Sequence, residues 1–563
     1  MRHPLQLLHE RTSGLLPGRA DYAGVRTSWR VDLVAGLTVG VVALPLALGF
    51  GVASGVGPTA GIVTAIVAGI VAAVFGGSSV QVSGPTGAMA VVLAPIVAHD
   101  GTRSVAAIAI IAGVMVLLMG VAGLGRLVRF VPWPVLEGFT VGIAVTIGLQ
   151  QVPLLMGLSK PGGTGVLDSA WVAVRGATVA QAEDTLVIAA LVVATMLLWP
   201  RLTHKVPGSI VAVILATAVT WILHLDVPLI GALPHHLPVP SIPFTGSTHP
   251  GQLLGPALAV ATLAAIESLL SARVADTMTG AGPTADGREL VGQGLANVAA
   301  GLFGGMPATG AIARTAVNVR AGARTRVAAI THSVVIVVVI LAAAPVVSHV
   351  PLAALGAVLL MTAVRMIDHV RVFVVVRSHV SEAVVLIATA VVTVAVDLVT
   401  AIEIGLLLAG VLALRKMASS SIASAEELAR HGDDSVDEHE LLTEHIAVFR
   451  LDGALFFGSA PAFLESFDVL PEVSVVILRL SGLTMLDATG ADALASVIDG
   501  LEARGVTVLV KGARDEHGRM LGAVGIVRSL ADKGHVFDDL PTAVAHARRH
   551  VLRTVGLGDV GAA

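Results

Sequence analysis

The chain has 563 residues, of which 55% are hydrophobic and 13% charged, and its mean hydropathy is +0.87. Such composition excludes a soluble globular protein, and a net charge of −4 gives no support for a nucleic-acid partner. The chain has no cysteine, which removes disulfides and thiolate metal sites.

Residues 1–30 are polar and basic and lack the apolar core of a secretory leader, so a cytoplasmic tail is expected there. From 31 to 416 runs a procession of apolar segments, each close to the ~20 residues that cross a bilayer. Fourteen are read. The first seven cover 31–52, 58–75, 86–98, 105–122, 135–156, 185–199 and 208–224. The second seven cover 253–271, 288–304, 310–319, 327–348, 352–364, 382–396 and 400–414. With the N-terminus inside, Arg126, Arg129, Arg201, Lys205, Arg273, Arg288, Arg320, Arg324, Arg326, Arg365, Arg371, Arg377, Arg415 and Lys416 fall on the cytoplasmic side. Only Arg103, Lys160 and Arg175 fall outside. This positive-inside asymmetry supports the count and puts both ends in the cytoplasm.

The third and tenth segments are too short to span alone, and both follow a break. Val82-Ser83-Gly84-Pro85-Thr86-Gly87-Ala88-Met89 is echoed by Gly305-Met306-Pro307-Ala308-Thr309-Gly310-Ala311-Ile312. One constant shift superposes Thr86-Gly87-Ala88 on Thr309-Gly310-Ala311 and the first span on the eighth. Because seven is odd, the halves have opposite orientations. The fold class is therefore a polytopic α-helical membrane protein, 14 spans in a 7+7 inverted repeat with two half-helices.

After Met417 the composition changes. Serines 419–421 and an acidic run mark 417–442 as a linker, and 443–553 alternates strand and helix patterns as a small soluble α/β domain, with 554–563 a tail. Strands are expected at 446–451, 454–457, 473–480 and 506–511, and helices after Ser459, at 489–503, near 515–525 and at 541–552.

A helix that starts inside the membrane leaves its first N–H groups unpaired and carries partial positive charge there. Two facing starts make an anion site from backbone alone. Gly87 and Gly310 let a ligand approach, Thr86 and Thr309 can cap the helices or bond the ligand, and Ala88 and Ala311 complete each motif. Arg314 lies ~6 Å along the second helix from Gly310. It is either locked in an ion pair with Glu267 or a counter-charge for the substrate, and the second reading is adopted because intramembrane ionisable groups mark pathways. Glu267 sits in an apolar stretch with Ser271 on the same helix face. A desolvated carboxylate can load and unload a proton near neutral pH, so Glu267 and Ser271 are the proton-coupling candidates. Phe50 follows the kinking Pro45 and can wall the pocket. His235 and His236 lie in a Pro-rich loop without ligand spacing, so neither metal nor cofactor is expected.

Several of these stretches resemble the SulP family of anion transporters, in animals the solute carrier 26 family. They are 43–50, Ser83-Gly84-Pro85-Thr86-Gly87, Ile266-Glu267-Ser268-Leu269-Leu270-Ser271 and Pro307-Ala308-Thr309-Gly310-Ala311-Ile312-Ala313-Arg314-Thr315, the last followed by Asn318 and Arg320-Ala321-Gly322-Ala323-Arg324-Thr325. Met485-Leu486-Asp487-Ala488-Thr489-Gly490 resembles the loop of STAS domains, in some of which a serine at the position of Thr489 is phosphorylated. The resemblance implies a mobile core and a gate, an elevator-like motion, homodimers, and a STAS domain needed for assembly or regulation. Family substrates include sulfate, bicarbonate, chloride, iodide, oxalate and C4-dicarboxylates. Sodium-coupled bicarbonate members carry aspartate in place of Glu267 and lack the arginine of Arg314, so this chain looks more like the proton-coupled group.

The expected function is secondary active, proton-coupled uptake of sulfate or a C4-dicarboxylate by a multi-pass cell-membrane homodimer. Its partners are a small anion, protons and the lipid bilayer. The alternative is a bicarbonate transporter or anion exchanger of the same family. A nucleobase permease is disfavoured by Arg314 and the STAS domain, and a membrane-tethered STAS regulator by the two broken spans. No nucleotide loop or catalytic triad suggests an enzyme.

Overall fold

Without water to take its polar groups, an apolar segment in a bilayer satisfies its backbone internally, and helices follow. The structure, a computed structural model, describes residues 15–22, 24–126, 131–158, 165–203, 207–233, 238–243, 250–280, 283–396, 398–419, 422–426, 444–467, 473–512, 517, 520–522 and 525–554. His235, His236, Lys160, Arg129, Lys205, Asp397, the 554–563 tail beyond 554 and most of the 417–442 linker thus lie outside the described residues.

The first half contains α1 (Val25–Ala53), α2 (Pro58–Phe75), β1 (Ser83–Gly84), α3 (Gly87–Asp100), α4 (Thr102–Val121), α5 (Trp133–Leu155), α6 (Val166–Gly176), α7 (Val179–Leu202) and α8 (Gly208–Leu223). The second contains α9 (Leu254–Thr279), α10 (Asp286–Leu302), β2 (Thr309–Gly310), α11 (Ile312–Arg320), α12 (Arg326–Val347), α13 (Leu352–Met366), α14 (His369–Ser378), α15 (Val380–Ala395) and α16 (Leu398–Ser419). Each predicted span falls on a helix. Among the described residues, seven helices are long and apolar enough to cross a membrane on their own.

Two helices were not expected, α6 and α14. Each exposes apolar side chains beside an arginine: Arg175 lies 4.2 Å over the Trp171 ring, and Arg377 lies 4.4 Å over Phe373. At 11 and 10 residues they are too short to span. Their mixed surfaces suit an interface instead.

The helices sort into two packing groups. α10 packs on α4 and α2, α12 on α1 and α2, and α9 on α4 and α11. In the other group α5 packs on α13 and α15, and α7 on α8 and α13. The tightest seam joins α4 and α10, which run antiparallel. Small residues meet every seventh position along it: Ala106 with Gly301, Gly113 with Gly294, and Gly120 with Gly287. A Cβ on Gly294 would stand 2.6 Å from the Gly113 carbonyl oxygen, and one on Gly113 2.7 Å from that of Gly294. Glycine is therefore required for these backbones to touch.

The distal part has a sheet ordered β3 (Ile422–Glu426), β4 (Ile446–Leu455), β5 (Val475–Leu486), β6 (Thr507–Lys511) and β7 (Val536–Phe537). β3 is antiparallel to β4, and the rest are parallel. Side-chain alternation sends Phe449, Leu451, Leu478 and Leu480 to one face, under α17 (Ala460–Glu465) and α18 (Ala488–Ala503). Ile446, Val448, Val475, Ile477 and Leu509 go to the other, under α20 (Leu540–Thr554), while α19 (Ile526–Asp532) precedes β7. Two expectations are corrected. The two strands read at 446–451 and 454–457 form one strand that continues through an irregularity at Gly453, and residues 422–426, read as linker, supply an edge strand.

Gly294→Leu should separate α4 from α10 and destabilise the membrane part by at least ~1–3 kcal/mol, the usual cost of overpacking. Thermal unfolding in detergent would register this, and Gly410→Leu, where a Cβ meets nothing within 4 Å, should melt as wild type.

Candidate anion site at two facing helix starts

The two breaks come together as the inverted repeat requires. Ser83 pairs with Gly310 and Gly84 with Thr309 in a two-stranded antiparallel bridge, and the Ala311 N–H donates to the Val82 carbonyl at 2.9 Å. Thr86 and Thr309, repeat mates 223 residues apart, place their hydroxyl oxygens 3.1 Å from each other. The local two-fold of the repeat passes between them.

Glu267, from the middle of α9, closes this pair. Its Oε2 accepts from Thr309 Oγ1 at 2.7 Å and from Thr86 Oγ1 at 2.9 Å. Ser268 beside it accepts the Gly310 N–H at 3.0 Å. One turn on, Ser271 Oγ lies 3.1 Å from Thr315 Oγ1, which accepts the Val82 N–H at 3.0 Å. Ser271 thus braces the first break and does not touch the carboxylate.

The helix starts are not equivalent. Thr86 caps α3, accepting from the Met89 N–H. Thr309 caps nothing: the chain stays extended through Gly310, and α11 begins at Ile312 after Ala311. Of the two roles open to these threonines, capping is taken by Thr86 alone, because bridge pairing holds Thr309 in a strand. Arg314 consequently sits in the first turn of α11, where a cation opposes the helix dipole. Its side chain is 2% exposed. Nη2 donates to the Pro85 carbonyl, just before the start of α3, and Nη1 has no hydrogen-bond partner among the described residues. Arg314 and Glu267 make no ion pair in this arrangement, since the carboxylate takes threonine hydroxyls and the guanidinium a carbonyl.

The first N–H groups of α3, from Gly87 and Ala88, and of α11, from Ile312 and Ala313, have no acceptor within their helices. By contrast, the N–H groups of Gly310 and Ala311 are engaged with Ser268 and Val82. The room that glycine leaves is also filled. A Cβ on Gly87 would lie 2.3 Å from Ile147 Cδ1 and 3.2 Å from Phe50 Cε1, and one on Gly310 would lie 2.0 Å from Gln81 Nε2. Phe50 therefore does stand at the start of α3, with Ile147 of the other packing group opposite it.

Sequence reasoning missed the scaffold beneath the site. Glu289, Gln293 and Asn297, four residues apart on α10, face both broken segments. Glu289 accepts from the N–H groups of Gly77 at 2.8 Å and Ser78 at 3.0 Å and from Gln81 Nε2 at 2.9 Å. Gln293 accepts from Ser83 Oγ and donates to the Ala308 carbonyl, while Asn297 pairs with both Ala308 backbone groups. Thr64 likewise bonds both backbone groups of Met306, and Asn318 donates to the Val80 carbonyl at 2.8 Å. A polar row at helical spacing inside an apolar span was the available signal. The 320–325 run is also structural: buried Asp32 accepts from the Arg324 N–H, the Thr325 N–H and the Thr325 hydroxyl.

In the distal domain, Asp487 caps α18, accepting the Gly490 N–H at 2.7 Å. Thr489 does not cap this helix; it lies exposed in the first turn.

Residues 29–389 match the sulfate permease family and residues 442–543 the STAS domain. YvdB of Bacillus subtilis (strain 168), to which sulfate transport is attributed, is 34% identical over 90% of this chain and 96% of its own. The bicarbonate transporter BicA of Synechocystis is 32% identical over 92% of this chain and 94% of its own. Among solved structures, the transmembrane domain of a cyanobacterial BicA matches with TM-score 0.62 at 31% identity, covering 67% of this chain and 98% of that one. Murine solute carrier 26 family member A9 matches with TM-score 0.80 over 95% of this chain and 94% of that one, which at 17% identity shows the fold alone. The chain belongs to the sulfate permease (SulP) family of membrane anion transporters and carries a C-terminal STAS domain.

Proposed function

We propose that this chain is a secondary active transporter that takes up sulfate or a C4-dicarboxylate together with protons. The observation that carries the reading is Arg314: a buried cation in the first turn of a helix that begins inside the membrane, with Nη2 on the carbonyl just before a second helix start and Nη1 without a hydrogen-bond partner among the described residues. Helix dipole and guanidinium then add their positive potential at one place, and an anion relieves both. On this reading the anion is held by Arg314, by the Gly87 and Ala88 N–H groups and by the Thr86 and Thr309 hydroxyls. Phe50 forms a wall, and Gly310 and Ala311 shape the break.

Glu267 supplies the coupling. As a carboxylate it accepts from both threonines; as an acid it must donate one bond, so each proton taken up reorganises the hydroxyls that meet the anion. The motion is elevator-like, the packing group of α1–α4 and α9–α12 sliding against the group of α5 and α13. Two copies assemble in the cell membrane, with residues 1–30 and the STAS domain cytoplasmic, as the distribution of lysine and arginine supports. A second reading, bicarbonate uptake, is favoured by the likeness to BicA. Uptake of labelled sulfate, fumarate and bicarbonate into proteoliposomes, with and without a pH gradient, separates the two.

Arg314→Ala should lower uptake by at least ~100-fold, as expected when a buried charge loses its partner. Normal elution on gel filtration would show that it still folds. Uptake at the wild-type rate and affinity would overturn the counter-charge role.

Glu267→Gln holds the site in its protonated form and should abolish the dependence of net uptake on a pH gradient, while anion exchange persists. If the gradient still drives uptake in this variant, coupling resides elsewhere.

Thr489 is proposed as a regulatory position. Its exposure at the start of α18 would put an added phosphate beside unpaired N–H groups. Thr489→Asp should alter transport while Thr489→Ser does not; equal rates in both would remove the switch.

A further inference from the structure

We propose that His535, His546 and His550 form a binding site for a divalent transition-metal ion of the zinc class, which staples the last helix of the STAS domain to the edge of its sheet. This goes beyond anion transport and does not depend on it.

His546 and His550 stand four residues apart on α20, one helical turn, so both rings project from the same face. His535 comes from the neighbouring turn, immediately before β7. A ligand nitrogen from each lies within 4.8 Å of those of the others, and the ring centroids are 5.5, 5.6 and 5.9 Å apart. Zinc at ~2.1 Å from each nitrogen needs them ~3.4 Å apart, so the rings must draw closer than the 4.8 Å within which they lie. The backbone beneath is already fixed: Ala543, Ala547 and Val551 of α20 are fully buried against Ile446, Val448, Val475, Ile477 and Leu509.

The chemistry favours a cation over simple packing. His535 Nδ1 and His546 Nε2 are buried and have no hydrogen-bond partner among the described residues. Burial, and then the neighbouring imidazoles, hold both His535 and His546 below the ordinary histidine value. Lys533, Arg549 and Arg553 push in the same direction, while Glu502 opposes them and is itself paired with Lys533 at 2.7 Å. A nitrogen-only set of three leaves a fourth position for water, and selects zinc, copper, nickel or cobalt over magnesium or calcium. His546 and His550 on one helix, with His535 across from them, have the two-by-one spacing that His235 and His236 lack.

The test uses the full-length chain, purified in detergent without a polyhistidine tag and stripped with chelator. Titration with cobalt(II) should give the visible absorption of a tetrahedral or five-coordinate nitrogen site, saturating at one ion per chain. His535→Gln, His546→Gln and His550→Gln should each weaken binding by at least about tenfold, because even partners outside the coordination sphere matter that much. His369→Gln, at an exposed histidine on α14, should bind as wild type. Zinc should also raise the unfolding temperature of the wild-type STAS transition and of no ligand variant. Cobalt binding of equal strength in wild type and in the three variants, each eluting normally on gel filtration, would overturn the site. So would wild-type binding well below one ion per chain.

Discussion

Every backbone polar group at membrane depth must find a partner, and two chain breaks within the bilayer create a local excess of them. The rest of the transport part is arranged around that demand. The breaks first pair with each other, as the β1–β2 bridge. What the bridge leaves over is taken by side chains chosen for reach: Glu289, Gln293 and Asn297 from α10, Thr64 from α2, and Thr315 and Asn318 from α11. These groups explain why α10 must lie so close, and the glycine seam with α4 is how it does so. After this accounting, Arg314 Nη1 is left without a hydrogen-bond partner among the described residues, and the first N–H groups of α3 and α11 have no acceptor within their own helices.

The helical architecture was legible because hydropathy and charge asymmetry act over tens of residues. The breaks were legible as well, since Gly and Pro punctuate sequence strongly. What escaped was set by tertiary contact. Thr309 reads as a cap by local rules, yet pairing with Gly84 keeps it extended and delays α11 by two residues. Thr489 reads as a cap too, but Asp487 is nearer the right place and accepts more strongly. The strand at 422–426 sits in a polar, Ser-rich run whose pairing with β4 no local pattern announces. α6 and α14 carry no span-length apolar signal, because each is short and its apolar residues cover only part of its surface.

The site itself was half legible. Arg314 and Glu267 stand out as ionisable residues in apolar sequence, Thr86 by its place at a Gly/Pro break and Phe50 by its place after Pro45, and the structure brings them to one place. Their connectivity could not be read. An acid and a base in neighbouring spans suggest an ion pair, but the two threonines stand nearer to Glu267, and Pro85 stands nearer to Arg314. Gly310 reads as a point of ligand approach and Ala311 as part of the repeated motif, but Ser268 and Val82 occupy their N–H groups.

The contact between Thr86 and Thr309 limits how chemical difference can enter a duplicated scaffold. Residues that meet across a two-fold are copies of each other, so whatever stands there must be able to bond to itself. A hydroxyl can, being donor and acceptor at once. A carboxylate or guanidinium would face its own charge. Polarity of a definite sign is therefore confined to positions away from the axis, where one copy can acquire it while the other stays inert. The mates of Glu267 and Arg314 are Leu44 and Val91, both buried and apolar. The two halves share a backbone plan, and the buried charge of Glu267 and Arg314 belongs to one of them.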